Sequence, residues 1–253
     1  MSKDVLAKSK LNNNKNINKK IDIHDITLKD VTIDDLELGK NNYNQFINLK
    51  NLLDGISSCQ LSDAYNNLFR KTGVVKGLKS INNLKAYGRI ATAKTNSDDW
   101  GTGIVAIHGC ENREILFIES SNTDLAIWGE LASTDAKNNG VSGVAIYGSV
   151  RDMEAILFLD FPIFASDFTP NAGKPLALGT INENLIIEGE IIRPGDFFLG
   201  DKTGVVVIPA SLFVQVINEV LMIKLSELGI TEQLDEGKSL MEITGLINPA
   251  DLE

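Results

Sequence analysis

Cysteine and histidine are scarce in this chain of 253 residues, which contains two of each. Cys59 and Cys110 are too few for a disulfide framework or a four-cysteine zinc site. His24 and His108 leave little room for a multi-histidine metal centre. A chain of this length buries enough surface to fold without such cross-links. The shortage of cysteine is typical of a reducing compartment, so we predict a cytoplasmic location.

Long hydrophobic runs and basic charge are also in short supply. The most apolar long window, 205–223, contains Pro209, Asn218 and Glu219, and it predicts a strand followed by an amphipathic helix. The first residues lack the apolar segment of a signal peptide. The chain has 24 Lys and Arg against 34 Asp and Glu, a formal net charge of −10. We therefore expect neither a nucleic-acid partner nor a membrane partner.

The composition changes near residue 42. Residues 1–41 are polar, with an Asn- and Lys-rich first half, and we predict an N-terminal extension or arm. In residues 42–253 helical and strand patterns alternate, which predicts one layered α/β domain with helices at both ends. The predicted helices are 43–56, 60–69, 126–139, 152–160, 210–228 and 234–243, and the predicted strands are 88–94, 103–108, 114–119, 143–148, 162–165, 185–191 and 204–208.

A glycine in the middle of the chain precedes a run suited to binding a carboxylate. Gly129 lets the chain turn sharply into a helix. The first backbone amides of that helix, those of Glu130, Leu131 and Ala132, would face outward at its positive end. Such a row of amides is a ready seat for an anion.

Two charged residues, Arg151 and Asp152, follow closely after the next predicted strand, 143–148. We expect this strand to return parallel to the segment before the helix, which brings both residues to the helix start. Two interpretations stay open on the residues alone. The pair could form a metal and oxoacid site with the amides, or Asp152 could cap the next helix with Arg151 as its ion-pair partner.

His108 and Cys110 lie two residues apart and could share one face of a strand. A nucleophilic Cys/His pair is conceivable there. We favour a packed thiol beside a hydrogen-bonded histidine, since that is the common environment of a lone cysteine.

Several runs of sequence occur together and carry a resemblance. They are Ala126-Ile-Trp-Gly-Glu-Leu-Ala, Gly140-Val-Ser-Gly-Val, Gly148-Ser-Val-Arg-Asp and Phe161-Pro-Ile-Phe-Ala, with Leu61-Ser-Asp-Ala and Arg193-Pro-Gly-Asp on either side. They resemble the family of the regulator of ribonuclease E activity A. That family includes 4-hydroxy-4-methyl-2-oxoglutarate aldolases with oxaloacetate decarboxylase side activity, often mislabelled as demethylmenaquinone methyltransferases. The resemblance extends from about Leu53 to Ile243.

The resemblance implies a swivelling β/β/α fold and a class II pyruvate aldolase that depends on a divalent cation and acts on a small oxoacid. By the family pattern, Asp152 matches the direct ligand of Mg²⁺, Mn²⁺ or another divalent cation. Glu130 matches an acidic residue that holds metal-bound water, and Arg151 matches the residue that contacts the carbonyl and the C4 region of the substrate.

The resemblance also extends the site to the helix start and to a second subunit. The amides of Leu131 and Ala132, which follow Gly129, match the seat of the pyruvate carboxylate. Glu227 matches a carboxylate that an adjacent subunit contributes. The resemblance therefore implies a homo-oligomer, a trimer or a multiple of trimers, with its site at the subunit boundary.

Some positions depart from the family pattern. Tyr147 replaces a frequent Asp, Ala155 replaces an acidic residue, Ser166-Asp167 replaces a basic segment and Asn112-Arg113-Glu114 replaces Gly-Asp. These changes leave the matched metal residue in place, so they bear on the substrate and the turnover.

The name-giving branch of the family supplies an alternative function. A member of that branch is a non-catalytic regulator that binds a ribonuclease or helicase. The acidic charge and the N-terminal arm are compatible with a partner surface. Intact residues at Glu130, Arg151, Asp152 and Glu227 favour the enzyme.

Overall fold

The computed structural model describes Ile33 and residues 43–247. The predicted extension, 1–41, lies outside the described residues except for Ile33, which packs against the core beneath the terminal helices. The boundary near residue 42 stays a prediction. The helices are α1 (Tyr43–Gly55), α2 (Ser58–Phe69), α3 (Gly101–Gly109), α4 (Glu130–Asn138), α5 (Met153–Phe158), α6 (Phe213–Asp235, after a 3₁₀ turn at Ala210–Leu212) and α7 (Leu240–Thr244).

The strands alternate with these helices through the middle of the chain. They are β1 (Lys79–Ser80), β2 (Ala86–Thr95), β3 (Ile115–Ser120), β4 (Ala126–Trp128), β5 (Gly143–Val150), β6 (Ile163–Phe168), β7 (Thr180–Ile181), β8 (Leu185–Ile187), β9 (Glu190–Ile192), β10 (Phe197–Gly200) and β11 (Val205–Ile208).

Within the described residues, nine strands form one mixed sheet that is nearly closed. Its order is β1-β6-β5-β3-β2-β10-β11, with β4 paired to β5 and β7 paired to β2. The central strands β2, β3, β5 and β6 are parallel, whereas β1, β10 and β11 pair antiparallel to their neighbours. Strands β8 and β9 form a separate hairpin. The predicted layered α/β architecture with flanking helices is confirmed.

The apolar residues of the sheet fall into three clusters. One face packs against α3, α4 and α5. The opposite face encloses an interior in which Phe198 contacts Phe117 and Phe164 at ring-centroid distances of 6.5 and 5.4 Å. A third cluster lies beneath α1, α2 and α6, where Phe197 contacts Phe213. The α3, α4 and α5 face is the one that carries the candidate site. No helix in the described part of the chain has the length and apolarity needed to cross a bilayer.

The predicted strand 103–108 is wrong, because these residues belong to helix α3. A short apolar run fits a buried strand and a buried helix equally well. The Asp99 carboxylate favours the helix here. Its Oδ1 accepts hydrogen bonds from the backbone amides of Gly101 and Thr102, at 2.8 and 3.3 Å, and these bonds stabilise the first turn.

Other predicted boundaries also needed correction. The predicted helix 126–139 is strand β4 followed by α4, because residues 126–128 pair with β5 before Gly129 turns the chain. The predicted strand 185–191 is a hairpin whose turn places Glu188 and Gly189 at positive φ of 51° and 87°. Helix α6 continues to Asp235, and the last helix covers only Leu240–Thr244.

Asp99 organises the loop that lies next to α3. Its side chain is 2% exposed. Burial alone would raise its pKa, but hydrogen bonds hold the pKa well below the ordinary value for an aspartate. The further donors are the hydroxyls of Thr95 and Thr102 and the amides of Leu176, Ala177 and Leu178.

Asp99→Asn should lower the free energy of unfolding by about 2–3 kcal/mol at neutral pH. Asparagine replaces one acceptor oxygen with an NH₂ group, which would face the buried N–H and O–H donors that the Asp99 carboxylate binds. The pKa of Asp99 is lower in the folded chain than the value of about 3.9 in the unfolded chain. Its contribution is therefore complete above about pH 4 and is lost as the pH falls through the folded-state pKa. Urea denaturation of both proteins at a series of pH values should show the stability gap narrowing in acid. A gap that stays constant would contradict this role.

Candidate active site

Strand β4, helix α4 and the end of β5 meet at one edge of the sheet. Strand β4 pairs parallel with β5, with Trp128 opposite Val150. The amide of Arg151 then donates to the carbonyl of Trp128 at 3.0 Å. Arg151 and Asp152 therefore lie beside Gly129 at the start of α4. This confirms the predicted parallel return of the strand.

Buried hydrogen bonds fix the start of α4. Gly129 is extended, with φ −165° and ψ −162°. Its carbonyl accepts both the amide and the hydroxyl of Ser133, at 3.0 and 2.8 Å, and the Ser133 hydroxyl accepts the Trp128 indole N–H at 2.8 Å. The amides of residues 130–132 precede this first intrahelical bond, so they point out of the helix end.

Asp152 stands at the N-cap position of α5, but its side chain makes no capping hydrogen bond, so the predicted side-chain cap is wrong. The other half of that interpretation, an ion pair between Arg151 and Asp152, is present in the structure. The backbone of Asp152 adopts a left-handed conformation with φ 59° and ψ 40°, which is uncommon for a residue other than glycine. Its Oδ2 instead accepts the amide of Glu130 at 3.3 Å and lies 3.5 Å from Arg151 Nε. The left-handed turn directs the carboxylate back to the start of α4, and the side chain remains 37% exposed.

These groups line an open pocket of about 170 Å³. Trp100, Ile104 and Ala172 have no role in the site that the sequence predicts. The predicted strand 103–108 hides the helix face that carries positions 100 and 104, and Ala172 lies in the loop after β6, for which the sequence carries no signal. Had residues 103–108 been interpreted as a helix, positions 100 and 104 would have been placed on one face. The lining residues are Trp100, Ile104, Ala126, Ile127, Trp128, Gly129, Leu131, Ala132, Arg151, Asp152 and Ala172.

The carboxylate ligand that this pocket offers suits a hard cation that keeps much of its bound water. Asp152 is the carboxylate among the lining residues. In the part of the chain that the structure describes, no three His, Cys, Asp or Glu side chains are grouped closely enough to hold a metal ion together. Mg²⁺ is commonly held by one or two carboxylates, with water and substrate filling its other positions. The residues therefore fit such an ion and do not fit an all-protein cage.

The predicted site residues are brought together except for one. Gly129, Leu131, Ala132 and Arg151 surround Asp152, and the exposed Glu130 follows on the first turn of α4. Glu227 lies on α6, where its carboxylate accepts a hydrogen bond from the side-chain amide of Gln60 on α2. Glu227 is not among the described residues that line this pocket. Within one chain, Glu227 therefore does not belong to the pocket.

His108 and Cys110 do not form a nucleophilic pair on a strand. His108 lies in the last turn of α3, and its Nε2 is 3.4 Å from Asp135 Oδ2 on α4. Burial, with a smaller effect from Glu114, raises the pKa of the Cys110 thiol to about 12. The thiol therefore stays protonated at neutral pH, in agreement with the packed-thiol interpretation.

Gly129→Ala should disturb the site without unfolding the protein. The added Cβ would lie 2.5 Å from Asp152 Oδ2 and 3.2 Å from Arg151 Cγ. The backbone at Gly129 is extended, so alanine fits the conformation, and the carboxylate must move instead. We expect kcat/KM for the reaction proposed below to fall about tenfold, with the melting temperature nearly unchanged. Gly204→Ala is the matched control, because no atom lies within 4 Å of its added Cβ. If Gly129→Ala and Gly204→Ala were equally active, the position of the Asp152 carboxylate beside residue 129 would not matter for activity, and the prediction would be contradicted.

The comparison with known proteins finds a family whose model matches more than half of the chain. The model of the family described as "RraA-like: Aldolase/RraA" matches residues 58–207. The chain is 41% identical over 176 residues to the "Uncharacterized protein MJ0644" of Methanocaldococcus jannaschii, an alignment that covers 68% of this chain and 85% of that protein. It is 33% identical over 150 residues to a protein of Halalkalibacterium halodurans named "Putative 4-hydroxy-4-methyl-2-oxoglutarate aldolase", which covers 59% of this chain and 70% of that protein.

Solved structures share the fold. An uncharacterized protein from Pseudomonas syringae pv. tomato superposes with a TM-score of 0.67 at 23% identity, covering 76% of this chain and 96% of that chain. The "RNA-processing inhibitor RraA" of "Thermus thermophilis" superposes with a TM-score of 0.51 at 22% identity, covering 58% of this chain and 92% of that chain. At such identities the likeness bears on the fold alone.

Proposed function

The chain belongs to the RraA-like family, and from this premise we propose that it is a divalent-metal-dependent class II pyruvate aldolase and decarboxylase. Its substrates would resemble 4-hydroxy-4-methyl-2-oxoglutarate or oxaloacetate. One observation carries the proposal: Asp152 turns away from the helix it precedes and presents its carboxylate beside Arg151 and the start of α4. The name of the Halalkalibacterium halodurans relative supports the same chemistry.

The start of α4 would hold the acid end of the substrate. The amides of Leu131 and Ala132 would donate to the carboxylate, and the positive end of the helix would add to the attraction. Asp152 would hold Mg²⁺ or Mn²⁺, which supplies Lewis-acid polarisation of the 2-oxo group when it is bound. The hydrogen bonds around Gly129 and Ser133 keep this seat in place.

Arg151 would stabilise the charge that forms when the carbon–carbon bond breaks. In aldol cleavage the C3–C4 bond breaks, the C4 hydroxyl loses its proton to a base, and the electron pair stays with the three-carbon fragment. That fragment is the enolate of pyruvate, which gains a proton at C3. In decarboxylation of oxaloacetate the same bond breaks and CO₂ leaves. Negative charge grows on the former 2-oxo oxygen, where the guanidinium of Arg151 would act.

Two carboxylates would complete the proton transfers. Glu130 lies on the first turn of α4 and is exposed, so it can hold water at the mouth of the pocket. Glu227 would come from an adjacent subunit, which requires a homo-oligomer, a trimer or a multiple of trimers.

A pyruvate-release assay tests the proposed function. Lactate dehydrogenase would report pyruvate from oxaloacetate and from 4-hydroxy-4-methyl-2-oxoglutarate, with Mg²⁺ or Mn²⁺ and after treatment with EDTA. We expect release, above that of a protein-free blank with the same cation, that EDTA abolishes and either cation restores. No release above that blank from either substrate would overturn the proposal and favour the non-catalytic alternative, which the family description "Aldolase/RraA" also includes.

Mixed oligomers test whether Glu227 acts across a subunit boundary. Asp152→Ala and Glu227→Ala homo-oligomers should both be inactive. If each site takes the two residues from different subunits, random mixing of the two variants should restore about a quarter of the sites. The measurement is pyruvate release from co-expressed, differently tagged subunits. If both residues act within one chain, the mixed oligomers would stay inactive, and the shared site would be excluded.

A further inference from the structure

The side chain of Gln60 links the start of helix α2 to a carboxylate on helix α6. Its amide nitrogen Nε2 donates a hydrogen bond to Oε2 of Glu227. We propose that Gln60 is a positioning residue, which holds Glu227 in the orientation that the site of an adjacent subunit uses. This inference rests on the proposed function, in which Glu227 helps to complete the proton transfers, and it adds the residue that orients that carboxylate.

The capping box at the start of α2 fixes which way the Gln60 amide points. Its Oε1 accepts a hydrogen bond from the backbone N–H of Ser57 at 3.0 Å, while the Ser57 hydroxyl accepts one from the backbone N–H of Gln60 at 3.2 Å. A backbone N–H can only donate, so the amide oxygen must face Ser57 and the NH₂ group faces Glu227. That bond engages Oε2 of the exposed Glu227 and leaves Oε1 to exchange a proton with a substrate or a water molecule.

The start of α2 is itself anchored to the loop between β10 and β11. The backbone amide and the hydroxyl of Ser58 donate to the two carboxylate oxygens of Asp201, at 2.7 and 2.8 Å. Burial alone would raise the pKa of Asp201, but its hydrogen bonds hold the pKa below the ordinary value for an aspartate. The anchor is therefore charged at neutral pH, and its bonds to Ser58 are charge-assisted. Gln60 thus extends from a helix end that is fixed to the sheet.

Helices α2 and α6 share a second bridge of the same kind. The side-chain amide of Asn67, seven residues after Gln60, donates to Oε1 of Glu219 at 3.0 Å. Glu219 lies eight residues before Glu227 on α6, so the two bridges are about two helical turns apart. Both helices also pack through buried apolar side chains of one cluster. The proposed reaction uses Glu227 and not Glu219, so the second bridge provides a matched control for the first.

Gln60→Glu tests the inference, because it changes the group that faces Glu227 and keeps the cap. Glutamate at this position of a capping box still accepts the N–H of Ser57, but its second oxygen would repel the Glu227 carboxylate. At pH 8 with Mg²⁺, we expect kcat for pyruvate release from oxaloacetate to fall about tenfold and KM to stay within about twofold. The melting temperature should stay within a few degrees of the wild-type value. Wild-type kcat in Gln60→Glu would overturn the inference.

Two control variants separate positioning from support of the helices. Asn67→Asp makes the same change of amide to carboxylate opposite Glu219, and it should keep the wild-type kcat. Ser57→Ala removes the side-chain half of the capping box, so it should lower the melting temperature by a few degrees and leave kcat normal. Equal losses of kcat in Gln60→Glu and Asn67→Asp would show that Gln60 acts only through helix packing, and would refute the positioning role.

Mixed oligomers show in which subunit Gln60 acts. In a random mixture of Gln60→Glu and Asp152→Asn subunits, a quarter of the sites would combine an intact Asp152 with an intact Gln60 and Glu227 from the neighbour, so about a quarter of the wild-type activity should appear. A random mixture of Gln60→Glu and Glu227→Ala subunits should reach only about a twentieth, because no chain carries both residues intact. Equal activities of the two mixtures, or the reverse order, would overturn the inference.

The inference and the proposed function fail in different ways. If the wild type releases pyruvate and Gln60→Glu keeps the wild-type kcat, the inference fails and the proposed function stands. If the wild type releases no pyruvate above the protein-free blank from either substrate, the proposed function fails and the inference fails with it.

Discussion

Asp152→Asn is expected to lower kcat/KM for pyruvate release about a thousandfold, equivalent to about 4 kcal/mol of transition-state stabilisation. The substitution removes the charge that would hold a divalent cation and keeps the size of the side chain. Asparagine also tolerates the left-handed conformation found at this position, φ 59°. Asp152→Ala should lose as much activity and should cost about 1–2 kcal/mol in stability as well, because alanine is strained at that φ.

Metal binding separates this expectation from a general loss of structure. Mn²⁺ should raise the melting temperature of the wild type and leave that of Asp152→Asn unchanged, since a ligand stabilises only a fold that binds it. Asp160→Ala is the matched control, because Asp160 is an exposed aspartate just beyond α5 and outside the lining. It should behave like the wild type in both measurements. Wild-type turnover by Asp152→Asn would remove Asp152 from the site.

Arg151→Ala is expected to lower kcat about a hundredfold and to change KM by much less, because the charge that Arg151 meets develops mainly in the transition state. Arg151→Lys keeps the charge but loses the planar fork, so it should recover part of the rate. The ion pair with Asp152 is 3.5 Å long and partly exposed, and such pairs contribute about 0–1 kcal/mol to stability. The melting temperatures of all three proteins should therefore stay within a few degrees.

The steady-state constants and the melting temperature decide between a catalytic and a structural Arg151. A structural role predicts a lowered melting temperature with normal kinetics of the folded protein. Unchanged kcat in Arg151→Ala together with a lower melting temperature would exclude the catalytic role.

The central strands and the start of the candidate site could be predicted from the sequence. Runs such as 115–118 and 144–146 are buried on both faces of a parallel sheet, so nearly every residue is apolar and the signal is strong. Gly129 and the pair Arg151-Asp152 could be placed together because a parallel return brings the end of β5 to the start of α4. The sequence is sufficient to predict those elements whose own residue pattern determines their structure.

The parts that could not be predicted depend on contacts between distant residues. Helix α3 begins where it does because Asp99 accepts its first amides while also accepting the amides of residues 176–178. The part of the pocket lining that Trp100 and Ile104 form follows from that helix. The conformation of Asp152 was equally hidden, since an aspartate before a helix usually indicates a cap, and the pairing with Glu130 appears only in the folded chain.

The pairing of β2 with β10 has a consequence for synthesis on the ribosome. Ala86 pairs with Gly200 and Arg89 with Phe197, so one edge of β2 waits for more than a hundred further residues. At a translation rate of about 5–20 residues per second, that edge stays unpaired for about 5–20 s after it emerges. During this interval residues 86–89 present open hydrogen-bonding groups at a strand edge, the kind of edge that can pair with other chains. The edge is therefore open to such pairing until β10 has been synthesised.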